Sequence, residues 1–232
     1  MRFDVCLETG PRHRKTMAHA VTFPGATAMG PTLDDAIEHL AEAIRVRVEF
    51  LRRHGEPFPE PEPLELVVTE IDTGGGFLGY GVVSFAADRA AVDADELRRD
   101  LRWLDWSRDE LVAAARAQPG GLAGTPDGKG WSAAEILAHV AGAERGYLRA
   151  LVEPVEGLGA AATAVERSPE HPWEALALER SIVRERLAAL TDDERSQVVQ
   201  RGRTAQTARR MLRKMLEHEW EHVLELEARL AV

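Results

Sequence analysis

From about residue 93 the composition turns to Ala, Leu, Glu and Arg with helical spacing throughout, whereas the first third mixes strand and helix periods, and this change limits the folds open to the chain more than any other feature. Before the change, Phe3, Val5 and Leu7 alternate with Arg2, Asp4 and Glu8, the period of a half-buried strand. Gly10-Pro11 and the basic residues 12–15 read as a hairpin turn. Alternation resumes at Met17, Val21 and Phe23, stops at Pro24-Gly25, and residues 26–29 suit a short third strand. Thr32, with Asp35 three residues on, marks a helix start. Leu33, Ile37, Leu40, Ile44, Val48 and Leu51 then define one helix face up to His54-Gly55. The stiff Pro-rich residues 57–63 lead into another strand over 64–70. Residues 1–72 are therefore expected to form a β-β-β-α-β domain, its small sheet covered on one face by one helix.

Residues 73–92 read as a connecting segment. Gly74, Gly75 and Gly76 interrupt any regular element, and the apolar residues 77–85 suit either a strand or a packed linker. Residues 93–232 carry helical spacing throughout. Asp93 with Glu96 starts a helix marked by Leu97, Leu101, Leu104 and Leu111, which ends at Pro119-Gly120-Gly121. Ser132 with Glu135 starts a second, carrying Leu137, Ala141, Leu148 and Leu151 up to Pro154. After a Gly/Ala stretch expected to be flexible, Pro172-Trp173 opens a third with Leu176, Val183, Leu187 and Leu190. A turn over 191–194 precedes the last helix, from about Thr204 to Arg229, with Leu212, Leu216, Val223 and Leu226 on one face. Four amphipathic helices predict a four-helix bundle, with Trp103, Trp106 and Trp220 in or beside its core. The fold class expected is α+β: a small sheet domain followed by an all-α bundle.

Charge narrows the function. The chain has 29 Lys and Arg against 39 Asp and Glu, a net of −10. Residues 1–70 hold eight basic and twelve acidic side chains, and no basic patch stands out, so no direct nucleic-acid binding is expected. No apolar run approaches the roughly 20 residues that cross a bilayer. The N-terminus lacks a secretory pattern, and the single Cys6 excludes both an internal disulfide and Cys-rich zinc modules. These features predict a soluble, cytoplasmic protein without a membrane partner.

Among the eight histidines, His13, His39 and His54 sit where polar side chains are ordinary. His218 and His222 differ, because four residues apart on a helix they stand above one another and can share a metal ion. The string His218-Glu219-Trp220-Glu221-His222 also satisfies the metalloprotease pattern H-E-x-x-H. Its extension needs Gly at 225 and His at 228, where the chain has Glu225 and Ala228, so a zinc protease is excluded. A third ligand must come from upstream, and His139, beside the small residues Ala143 and Gly146, is the natural candidate. Three neutral imidazoles leave a divalent ion with an open position. Glu135, Glu144 and Glu219 are the carboxylates placed to orient an imidazole N–H.

Residues 130–144, from Gly130-Trp131-Ser132 through His139 to Glu144, resemble the second-helix signature of the DinB-like superfamily. Residues 208–222 resemble its last-helix signature. The resemblance implies a four-helix bundle in which one histidine of the second helix and two of the last bind a divalent metal. Those roles fall on His139, His218 and His222. Some members of that superfamily are metal-dependent thiol S-transferases or isomerases that use a low-molecular-weight thiol. Residues 23–36, with Phe23-Pro24-Gly25 and Thr32-Leu33-Asp34-Asp35, resemble the strand–turn–strand–helix passage of HicB-like domains, which implies a protein partner for the first domain.

The expected function is a divalent-metal protein (Zn, Ni, Fe or Mn), with thiol transfer to an electrophile as its reaction. The alternative is a non-enzymatic interaction or regulatory protein whose HicB-like domain binds a partner and whose metal is structural or absent. In that reading His171 or a carboxylate closes the fourth position. Homodimerisation is expected in either case.

Overall fold

A computed structural model describes residues 1–10, 15–59, 63–74, 83–125, 128–152 and 154–230. Parts of three expectations lie outside these residues: the turn over 12–15, the Pro-rich stretch over 57–63 and the apolar segment over 77–85. Two compact units are present, Met1–Ala91 with Ser196–Glu217, and Val92–Arg195 with His218–Val232. The architecture is α+β, a small sheet region followed by a helical region. Among the described residues no helix is long and apolar enough to cross a membrane.

In the first unit, β1 (Arg2–Thr9), β2 (Thr16–Ala20), β3 (Thr27–Gly30), α1 (Leu33–Arg53) and β4 (Glu65–Asp72) follow in the expected order. The strands lie in the order β3-β2-β1-β4, with β4 parallel to β1 and the other pairs antiparallel. α1 begins where Thr32 and Asp35 close a reciprocal cap, and buries Ala36, Leu40, Ile44, Val48 and Leu51. Gly25 is required at its turn. Its φ is +99°, and a Cβ there would stand 2.6 Å from Nε of the buried Arg47.

The sheet departs from the sequence expectation in one respect, since β1 and β2 are buried on both faces. Cys6 and Val21 pack with Phe85, and the polar Glu8 and His19 are buried as well. The cover comes from the 3-10 turn at Ala86–Arg89 and from the first half of α7 (Ala208–Ala228). Arg213 donates to both carboxylate oxygens of Asp88 (2.8 and 2.7 Å) and to both of Glu217 (3.0 and 2.9 Å). Glu217 in turn meets His19 Nδ1 at 3.0 Å. A strand face expected to meet water instead meets a buried ionic network, because its charged residues find partners far along the chain.

In the second unit, α2 (Ala94–Arg116) and α3 (Ala133–Leu151) start at Asp93 and Ser132 with the expected caps, and α5 (Trp173–Ala188) follows Pro172. The Gly/Ala stretch is not flexible. It forms α4 (Leu158–Arg167), whose small buried face of Ala161, Ala162 and Val165 packs on α3 and α5. Residues 192–196 form the short α6 (Asp192–Ser196). Thr204 does not begin the last helix. Thr204–Gln206 is β6, paired in a hairpin with β5 (Val199–Arg201) across Gly202, whose φ is +59°, and this hairpin belongs to the first unit. α7 therefore starts at Ala208. Trp103 and Trp220 are buried in the core, as their helical spacing suggests.

Candidate metal centre

The reciprocal cap that starts α3 fixes where His139 stands. Glu135 N donates to Ser132 Oγ (3.2 Å), and Ser132 N donates back to the Glu135 carboxylate (2.7 Å). His139 follows four residues later. On α7, His218 and His222 are one turn apart on the same face. The three rings converge: centroids are 4.7 Å apart for His139 and His218, 4.8 Å for His218 and His222, and 5.3 Å for His139 and His222. The Nε2 atoms of His139 and His218 lie 2.8 Å apart. One ligand atom from each histidine falls within 4.8 Å of the others. Burial grades across the group, from the exposed His139 through the half-buried His218 to the buried His222.

The family model of the DinB superfamily matches residues 103–226, more than half the chain and all three histidines. This chain belongs to the DinB superfamily. No curated protein and no solved structure matches it.

In this DinB-superfamily chain the electrostatics favour a neutral imidazole at His139. Burial lowers the proton affinity of His139, and His222 lowers it further, against a smaller opposing pull from Glu225. A neutral imidazole offers the lone pair that a metal ion needs. Among the described residues the group contains three ligands and no fourth. His171 stands apart in an exposed turn, its N–H donating to Ser168 O.

The three glutamates selected from the sequence are engaged elsewhere. Glu135 serves the cap of α3. Glu144 and Glu219 belong to a buried cluster with Arg108, Glu179 and Arg180, drawn from α2, α3, α5 and α7. The carboxylate that reaches an imidazole of this group is Glu225, 2.9 Å from His222 Nδ1. Arg229 holds Glu225 from one turn further along and donates its other nitrogen to Trp131 O at 3.0 Å. The signal was in the sequence, since Glu225 lies three residues after His222 and four before Arg229, both spacings that meet on a helix.

Within the buried cluster, burial pushes Glu179 up to about 9, and the neighbouring Glu144 adds to the effect. Neither Glu179 oxygen has a hydrogen-bond partner among the described residues, and a proton there supplies the missing donor. A carboxyl whose folded pKa is raised is protonated in the folded chain and ionised in the unfolded one between about 4.5 and 9. Stability is therefore lost as pH rises through that window. Glu179→Gln is expected to flatten this slope and to unfold at higher urea than wild type at pH 8, by at least about 1 kcal/mol. A parallel pH dependence in both proteins would show that Glu179 is ionised when folded.

Proposed function

We propose that His139, His218 and His222 hold one divalent metal ion, and that this chain is a metal-dependent thiol S-transferase. The observation that carries the reading is the convergence of three imidazoles from two helices within 4.8 Å, with no fourth protein ligand among the described residues. Three ligands suit a catalytic centre, whereas a structural one is closed by a fourth. The donors are also of the right kind: three imidazoles suit Zn, Ni or Fe better than Mn, the remaining candidate, and His222 is buried.

A divalent ion bound there supplies the positive charge that makes a thiol, ordinarily of pKa about 8.5, a thiolate at neutral pH. The chain's own residues prepare the place. Glu225 engages His222 Nδ1 and leaves Nε2 as its donor atom. The low proton affinity of His139 keeps its lone pair free. The thiol proton passes to solvent as the thiolate forms. The sulfur then makes its bond to an electrophilic carbon while that carbon's bond to its leaving group breaks, the leaving group departing with the bonding electron pair. Cys6 is no substitute for the external thiol, because burial pushes its own thiol up to about 11.

The test is metal content by mass spectrometry on untagged protein beside His218→Ala/His222→Ala. The expected result is one equivalent in wild type, lost in the variant with its helical content unchanged. No metal in wild type after reconstitution would reject the centre. Metal without thiol conjugation in a survey of thiols and electrophiles would reject only the transferase.

For residues 1–72 we propose a HicB-like domain. What supports it is the β1-β2-β3-α1-β4 order, with the Phe23-Pro24-Gly25 turn and the Thr32 cap where the resemblance places them. Met29, Val68 and Ile71 are exposed apolar residues on its two edge strands, which suits a protein partner or a second copy. A cytoplasmic homodimer is the matching assembly, and light scattering on the same preparation tests it by returning one chain mass or two.

A further inference from the structure

The end of α7 carries an arginine that does not behave as an ordinary helix-end cation. Arg229 follows directly after α7, where a basic side chain usually extends into water and only offsets the partial charge of the helix end. Its side chain is instead 13% exposed and is turned back along the helix. Nη2 donates to Glu225 Oε1, and Nη1 donates to Trp131 O at 3.0 Å. Holding so long a side chain in one place costs conformational entropy, so the placement calls for a reason.

Both partners lead to a histidine of the candidate centre. Glu225 divides its oxygens, giving Oε1 to Arg229 and Oε2 to His222 Nδ1 at 2.9 Å. The Glu225 side chain is 40% exposed, and a carboxylate so open to water gains little from one neighbour. A second, fixed partner on its other oxygen keeps it turned toward His222. Trp131 immediately precedes Ser132, the residue that caps α3, and its ring meets His139 edge-on at 4.5 Å. The bond to Trp131 O therefore ties the start of the helix that carries His139 to the end of the helix that carries His218 and His222.

We infer that Arg229 is the positioning residue of the metal centre. Through Glu225 it holds His222 in the tautomer with its proton on Nδ1, so that the Nε2 lone pair faces the ion. Through Trp131 O it holds the start of α3 where His139 completes the set. Arg229 touches neither metal nor thiol and acts through these two partners. The inference rests on the metal reading above and deepens it, because the affinity of the centre is then set from beyond the end of the helix that carries its last ligand.

The test labels the histidine rings of the full chain with ¹⁵N and reads the His222 tautomer from its ring-nitrogen shifts in metal-free protein, at a pH where imidazoles are neutral. The signals are assigned by their loss in His222→Ala. Zinc affinity of the same proteins is measured by competition with a chromophoric chelator. Wild type is expected to carry the His222 proton on Nδ1. Arg229→Met keeps the apolar stem of the side chain; it is expected to give a mixture of tautomers and to bind zinc at least about tenfold more weakly, with helical content unchanged. Arg229→Lys is expected to recover part of both, since it keeps the charge but not the two-pronged donor. Glu225→Ala, which favours the helix, is expected to reproduce the tautomer mixture. An unchanged His222 tautomer or an unchanged zinc affinity in Arg229→Met would overturn the inference while leaving the metal centre standing. If Arg229→Met does not fold, an unchanged tautomer in Glu225→Ala overturns it instead. Failure of wild type to bind zinc would overturn the metal reading and this inference with it, whatever the tautomers show.

Discussion

Replacing Arg108 by methionine is expected to cost about 3–5 kcal/mol of stability, read as a lower urea midpoint with an unchanged slope. Arg108 places Nε 2.6 Å from Glu219, Nη2 2.8 Å from Glu144 and Nη1 3.5 Å from Glu179. Arg180 is the other cation of the cluster, paired with Glu144 and Glu219. All five side chains are buried. Burial works against the charge of Arg108, but Glu219 and Glu144, joined by Glu179 once it ionises, outweigh it and tighten its hold on the proton. The same balance, with burial opposing Arg108 and Arg180, holds Glu219 ionised. Methionine would fill much of the volume and leave three carboxyl groups with one guanidinium, the situation in which a buried charge is most costly. Arg108→Lys keeps the charge but not the planar fork, so its loss should fall between those of wild type and the methionine variant. A loss below about 1 kcal/mol for the methionine variant would mean that water reaches these charges. The cluster joins the same α3 and α7 that carry the histidines, with Glu219 next in sequence to His218. The variant is therefore also expected to bind metal more weakly.

Arg213→Met is expected to destabilise by a similar amount, about 3–5 kcal/mol, and to do so less at low pH. Arg213 is the partner of both Asp88 and Glu217, and its guanidinium lies 5.2 Å from the Phe85 ring centre. Burial alone would raise the Glu217 pKa, but Arg213, then His19 and Lys214, pull it well below the usual carboxylate range. A carboxylate depressed in this way contributes stability that is present above its unfolded pKa of about 4.5. That contribution is lost as pH falls from there toward the folded pKa. Removing Arg213 removes the main source of the depression. The gap between variant and wild type, measured by urea unfolding from pH 7 to pH 3.5, should therefore narrow on acidification. A constant gap would mean that packing on Phe85, rather than the charge, explains the loss.

The parts of this protein that were legible in its sequence are those whose partners lie within one helical turn. The caps Thr32/Asp35, Asp93/Glu96 and Ser132/Glu135 close over three residues, and each is in place. The strand and helix periods gave the β-β-β-α-β order and the main helices for the same reason. Short-range spacing also put His218 and His222 on one face. Where the local signal was weak, the reading failed. Ala161 and Ala162 carry too little apolar bulk to announce α4, and the β5–β6 hairpin is too short to show a period.

Tertiary structure decided everything that depends on distant partners. Arg108 meets Glu219 across 111 residues, and Arg213 meets Asp88 across 125. No spacing rule pairs them, so Glu144 and Glu219 looked like free carboxylates beside histidines rather than members of a buried ionic cluster. His139 stands 79 residues before His218, and only the packing of α3 against α7 brings their Nε2 atoms to 2.8 Å. Residue types and their local period determined which elements form and which side chains could bind a metal. Burial, which sets the cost of every unpaired charge, determined which of those side chains meet.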